Sequence, residues 1–158
     1  MGDPSHDEDE TERTERQLIE LLNELRVVIP GVQVLFAFLL TIPFNQRFAR
    51  VSEFQQTVYF VTLLLSALAT ALLLAPTGYH RILFHKGQRK HIIEAANRFA
   101  IAGLAVLCLA ITGAVLLITD FLYSSKVLVA TVACGTFLVM VSLWIVVPLV
   151  RRASLKLE

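Results

Sequence analysis

The sequence predicts an all-α polytopic membrane protein: four transmembrane helices preceded by an amphipathic N-terminal cytoplasmic helix. Three observations carry that prediction. Hydrophobic residues make up 56% of the 158 positions and charged residues 17%, with a mean hydropathy of +0.67; soluble domains run at about 45–50% apolar and roughly 25% charged. Four uncharged stretches are each long enough to cross the hydrocarbon core, which takes about 20 helical residues. The charge is also sorted along the chain. Residues 1–26 carry nine acids against three arginines, and residues 27–158 carry eleven Lys/Arg against four acids.

Residues 1–10 form an acidic, polar tail that buries too little apolar surface to offset its ordering entropy, so disorder is expected there. An acidic start also argues against a cleaved signal peptide, which opens basic. Over 11–29, Leu18, Leu21, Leu22, Leu25 and Val28 fall at helical spacing on one apolar stripe. Glu20, Asn23 and Glu24 lie off it. This segment is expected to lie at the interface or on its own bundle, with self-association or partner docking as the alternative.

Pro30 and Gly31 mark the join to a membrane domain over 30–150. A kink or break is expected near 27–29, because proline removes a backbone bond and crowds the preceding turn. The spans are read at about 27–44, 57–75, 99–119 and 127–150. Pro43 closes the first, and Pro76 with Gly78 ends the second. Asp120 to Lys126 leaves room only for an antiparallel helical hairpin, with Asp120 free to pair with Lys126, Arg47 or Arg50. Continuous apolar runs argue against barrel strands, which alternate. Small residues (Ser66, Thr70, Ala96, Ala100, Ala110, Ala114, Gly103, Gly113) recur at spacings that let helix backbones approach. Cys108 and Cys134 fall inside the third and fourth spans, where a free thiol behaves as a small hydrophobe.

Orientation follows the Lys/Arg bias of the loops. With the N-terminus inside, eleven Lys/Arg lie on the cytoplasmic side against Arg47, Arg50 and Lys126 outside. Both termini are then cytoplasmic, and 151–158 is a basic cytoplasmic tail. In the second loop Arg81, Lys86, Arg89 and Lys90 are expected to contact lipid headgroups. His80, His85 and His91 are spaced too irregularly to share one helical face, so no metal site is expected.

Phosphate loops, nucleophile motifs and cysteine/histidine quartets are missing, which argues against an enzyme and implies no cofactor. Nucleic acid is not an expected partner; membrane lipids are. The spans hold no Asp, Glu, Lys, Arg or His at mid-depth, where transporters keep their ionisable groups. Gln33 is a side-chain amide that hydrocarbon cannot satisfy, so it either bonds to a neighbouring helix or lines a water-filled path. With Thr41 it is the candidate lining of a path. Glu20, Glu24, His91, Glu94 and Arg98 are candidates for a cytoplasmic gate or pH sensor. The functional expectation is a homo-oligomeric channel or transporter for a small ion. The alternative is a non-transporting scaffold or regulatory subunit docking an unidentified protein through the N-terminal helix.

The run Leu18-Ile-Glu-Leu-Leu-Asn-Glu-Leu-Arg26 leads into Pro30-Gly-Val-Gln-Val-Leu-Phe-Ala-Phe-Leu-Leu-Thr-Ile-Pro-Phe44. With Pro76-Thr-Gly-Tyr-His-Arg81 and Ala96-Asn-Arg98 it resembles an uncharacterised family of small four-pass bacterial membrane proteins. Its members are sometimes labelled sodium/proton antiporters. The resemblance implies the same topology and a bacterial inner membrane, and it supplies no active site.

The orientation is checked by impermeant maleimide on intact cells, with Cys108 and Cys134 replaced by serine. Single cysteines at Gln46 and Ser124 should react from outside. Those at Ser5 and Ser154 should react only after permeabilisation.

Overall fold

A computed structural model describes residues 4–46, 48, 51–83 and 89–146, with side chains described in those ranges except at 4–15, 17–18, 79–83, 89–93 and 145. The described residues are helical throughout their regular structure: α1 (Pro4–Thr41), a 3-10 turn (Ile42–Phe44), α2 (Glu53–Leu83), α3 (Arg89–Leu122), α4 (Lys126–Val141) and a π-helical turn (Ser142–Val146). Four segments are long and apolar enough to cross a membrane: Ile19–Phe44, Glu53–Gly78, Glu94–Leu122 and Lys126–Trp144. The middle two carry more of the core, with 28% of each window buried against 11% for the first and last.

α1 is one helix from Pro4, and it takes in residues 4–10, for which composition alone suggests a tail. Extending an existing helix adds one bond per residue fixed, and acids in its first turns suit the positive end of the macrodipole. Leu25, Val32 and Leu39, seven apart, are its buried residues. The stripe read over residues 18–28 therefore continues through the span as a packing seam.

Pro76 corrects the sequence reading, and at Pro30 the helix is unbroken. α1 continues through Pro30 and α2 continues through Pro76 to Leu83, so neither residue ends a helix. Each removes one donor, leaving the carbonyl four residues back, of Arg26 or Leu72, without its usual bond. Pro30 and Arg26 are exposed, so that carbonyl lies on a face open to the surroundings. Pro76 is fully buried, and packing of its ring offsets the missing bond. The fourth span is α-helical only to Val141 and turns π-helical at Ser142; residues 147–158 lie outside the described part.

Contacts group the chain into two compact units, residues 1–38 with 66–105 and residues 39–65 with 106–158. In the first, Leu25, Val32, Ala69, Leu73, Ala96 and Ala100 are buried. A methyl on Gly103 would sit 2.8 Å from the Leu73 side chain, so here α2 and α3 approach to a distance only glycine permits. In the second unit, Leu39, Tyr59, Thr62, Leu107, Cys108, Ala110, Val129 and Ala133 are buried. Gly113 is the counterpart there, since a methyl on it would overlap the Thr62 hydroxyl. Where no water drives helices together, this backbone approach supplies dispersion instead. Cys108 is buried and Cys134 exposed, and both thiols are free.

Gly113→Ala should destabilise by about 1–3 kcal/mol, the usual cost of overpacking. Gly31→Ala and Gly135→Ala, with nothing within 4 Å of the added methyl, should be neutral or stabilising. Thermal unfolding in detergent micelles ranks the three, and Thr62→Ala should restore part of what Gly113→Ala removes.

Candidate functional site

The most ordered chemistry lies in the second unit, where α2 begins and α3 ends. Ser52 and Gln55 close the start of α2 reciprocally. The Gln55 N–H donates to Ser52 Oγ at 3.2 Å, and the Ser52 N–H donates to Gln55 Oε1 at 3.1 Å. This is a capping box, two orphan donors of the helix end satisfied by two side chains. Held so, Gln55 turns its amide nitrogen outward from the helix and donates to Asp120 Oδ2 at 2.9 Å.

Asp120 stands in the last turn of α3, where the negative end of the macrodipole disfavours a carboxylate. Its side chain is only 6% exposed. Two donors compensate: Gln55, and Lys126 Nζ at 3.1 Å from Oδ1. Lys126, in the first turn of α4, also lies 5.4 Å from the centroid of the Phe54 ring, within cation–π range. Ser125 caps α4 by accepting from the Leu128 N–H. Three helix ends are thereby tied through one carboxylate. Of the three cations open to Asp120 by sequence, Lys126 is the observed partner; Arg47 and Arg50 lie outside the described residues.

Beside this clasp is a cavity of about 300 Å³, lined by Asn45, Phe48, Gln55, Tyr59, Ile118 and Phe121 among others. Phe48 and Tyr59 meet edge to face at 5.2 Å, and the Tyr59 hydroxyl donates to the Leu39 carbonyl at 3.0 Å. The sequence reading had no place for Gln55 or Tyr59. The Ser-x-x-Gln pattern ahead of an apolar run was the available signal for the first.

The residues singled out from sequence fall mostly in the other unit. Gln33 and Thr41 are both exposed on α1, eight positions apart, and neither is among the buried residues. Glu20 and Glu24 on α1 and Glu94 and Arg98 on α3 are exposed too, and among the described residues no ion pair joins them. His91 belongs to α3 by its backbone, and its side chain lies outside the described residues. Arg89 and Lys90 on α3 and Arg81 on α2 are likewise described by backbone alone, and Lys86 is outside the described residues altogether. Thr70, Thr112 and Thr131, three further polar positions of the spans, each donate to the carbonyl four residues back. Thr62, Ser66 and Thr119 are the buried polar residues among those described, and none is ionisable.

The model of one protein family, DUF6328, a family of unknown function, matches residues 7–148. Neither a curated protein nor a solved structure matches the chain.

Gln55→Ala removes both the cap and a donor to a buried carboxylate, and should cost about 1–3 kcal/mol. In a double-mutant cycle with Asp120→Asn, unfolding in micelles should return a coupling of at least about 0.5 kcal/mol, the range of residues that share a partner.

Proposed function

The chain belongs to DUF6328, a family of unknown function, and we propose from its chemistry that it is a homo-oligomeric, non-enzymatic membrane protein passing a small ion between copies. We place it in a bacterial inner membrane with both termini cytoplasmic, on the Lys/Arg bias of its loops.

The observation that carries this reading is Gln33. Its amide is exposed on α1, within a segment of mean hydropathy 2.2. Hydrocarbon offers that amide no partner, and each unmet polar group costs several kcal/mol there. Facing copies of α1 satisfy it, either amide to amide or through water. Interhelical bonds of this kind are worth about 0.6 kcal/mol on average, with a measured ceiling near 1.7, so Gln33 specifies a contact more than it stabilises one.

A path between copies also suits the interior of the single chain. The described core is filled where Gly103 meets Leu73 and where Gly113 meets Thr62, and its buried polar residues carry no charge. Thr41, exposed further along α1, extends the polar lining. Glu20, Glu24, Glu94 and Arg98, with His91, stand as charged groups for an inner mouth.

A second reading, a scaffold or regulatory subunit, draws on the exposure of Glu20 and Glu24 beside a buried Leu25. The apolar stripe of this helix is used by the chain itself. Any partner would therefore meet the acidic face.

Purified protein in vesicles separates the two. Cation flux through wild-type protein, reduced at least about tenfold by Gln33→Leu while the oligomer persists, is the expected result. A wild-type protein that passes no cation across a range of pH leaves the scaffold reading in its place.

A further inference from the structure

We propose that the cavity between Phe48, Tyr59 and Phe121 is a binding site for one acyl chain of an anionic phospholipid, with the lipid's phosphate held by Lys126. This site is independent of Gln33 and of any ion path.

The cavity measures about 300 Å³. A dry pocket of roughly half that size, lined by Leu, Ile and Phe, is enough to take up benzene. Its walls offer little to water. Of the polar groups on them, Gln55 spends its amide nitrogen on Asp120 and its oxygen on Ser52, and Tyr59 donates its hydroxyl to Leu39. The Asn45 N–H donates to the Ile42 carbonyl, and its own carbonyl accepts from the Phe48 N–H. A water needs two to four polar partners and finds too few here.

The lining is also not sealed. Ile118 is 57% exposed and Phe121 52%, so the cavity reaches the surface that a membrane covers. An apolar hollow at that boundary fills with hydrocarbon. Its depth in the chain selects which part of a lipid. The 3-10 turn of Ile42–Phe44, the first residues of α2 and the last turn of α3 all border it, and these are the ends of apolar spans. A chain entering there carries its headgroup at the polar boundary.

Lys126 supplies the charge. Its side chain is 80% exposed, and one of its three ammonium protons is engaged by Asp120. Held between Asp120 and the Phe54 ring, the ammonium still presents donors on its exposed side to a phosphate. A neutral isoprenoid or quinone would fill the cavity and ignore the lysine, and this distinguishes it from the lipid proposed.

Native mass spectrometry of the full chain, released from mild detergent, should show one retained phospholipid. Short-chain phosphatidylglycerol should raise the unfolding temperature of wild-type protein more than short-chain phosphatidylcholine does. Val51→Trp, which fills the cavity from the loop, should weaken that response at least about tenfold in lipid concentration. Lys126→Gln should abolish the preference for phosphatidylglycerol. Ile118→Trp fills the same space from α3 and serves if Val51→Trp misfolds by circular dichroism. Equal responses of wild-type and filled variants, no headgroup preference in wild-type protein, or a neutral isoprenoid in place of phospholipid would each overturn the proposal.

Discussion

A carboxylate at the end of a membrane helix must be met by donors, and the way Asp120 is met organises the described connections between helices. Gln55 reaches it only because Ser52 holds the first turn of α2 closed, and Lys126 reaches it only because the turn before α4 is three residues long. Removing either donor leaves the enclosed carboxylate under-satisfied, which costs more than the bond itself contributes. The tie is therefore better understood as fixing which helix ends meet than as a source of net stability. Its members lie beside the cavity, so the geometry that satisfies the charge also sets the wall on which Tyr59 and Phe48 pack.

Away from these ends, cohesion is a matter of backbone distance. Gly103 facing Leu73 and Gly113 facing Thr62 place α2 and α3 closer than any Cβ would allow. In lipid there is no hydrophobic gain from joining two apolar helices, because the tails are as apolar as leucine. What remains is dispersion over a close surface, and this grows only where side chains are small. Gly31 on α1 and Gly135 on α4 have no such neighbour, and the first and last spans have the smaller buried share.

Legibility in the sequence followed the strength of the physical signal. The four spans were readable because hydropathy acts over about twenty residues at once and nothing local competes with it. The stripe through Leu25 was readable for the same reason, a repeated period. Pro76 does not end its helix and Pro30 does not break its own, because long packed helices supply the compensation: burial for Pro76 and an open face for Pro30. Lys126 was among the partners foreseen for Asp120, whereas Gln55 was not. Its contact spans 65 residues, and no periodicity encodes a meeting between one helix start and a distant helix end. The cavity is further still from sequence, since its lining is drawn from the connection after α1, from α2 and from α3, and volume between side chains leaves no local trace. Gln33 and Thr41 could be nominated by polarity alone; that they face outward depends on which side of α1 the heptad residues claim.

The threonines bear on how such a chain is made. Thr57, Thr70, Thr112, Thr119, Thr131 and Thr136 all donate to a carbonyl four residues earlier on their own helix. Folded back in this way, a hydroxyl is invisible to surrounding lipid, and the segment carrying it partitions almost as an alkane rod. The second, third and fourth spans, which carry these threonines, are thereby each suited to rest in the bilayer before later helices have been synthesised. Tyr59 and Gln55 differ, because their acceptors belong to other segments, one upstream and one far downstream. The early hairpin can settle Tyr59 against Leu39 at once, while Gln55 must wait for the third helix to emerge, which makes completion of the polar tie a late event in biogenesis.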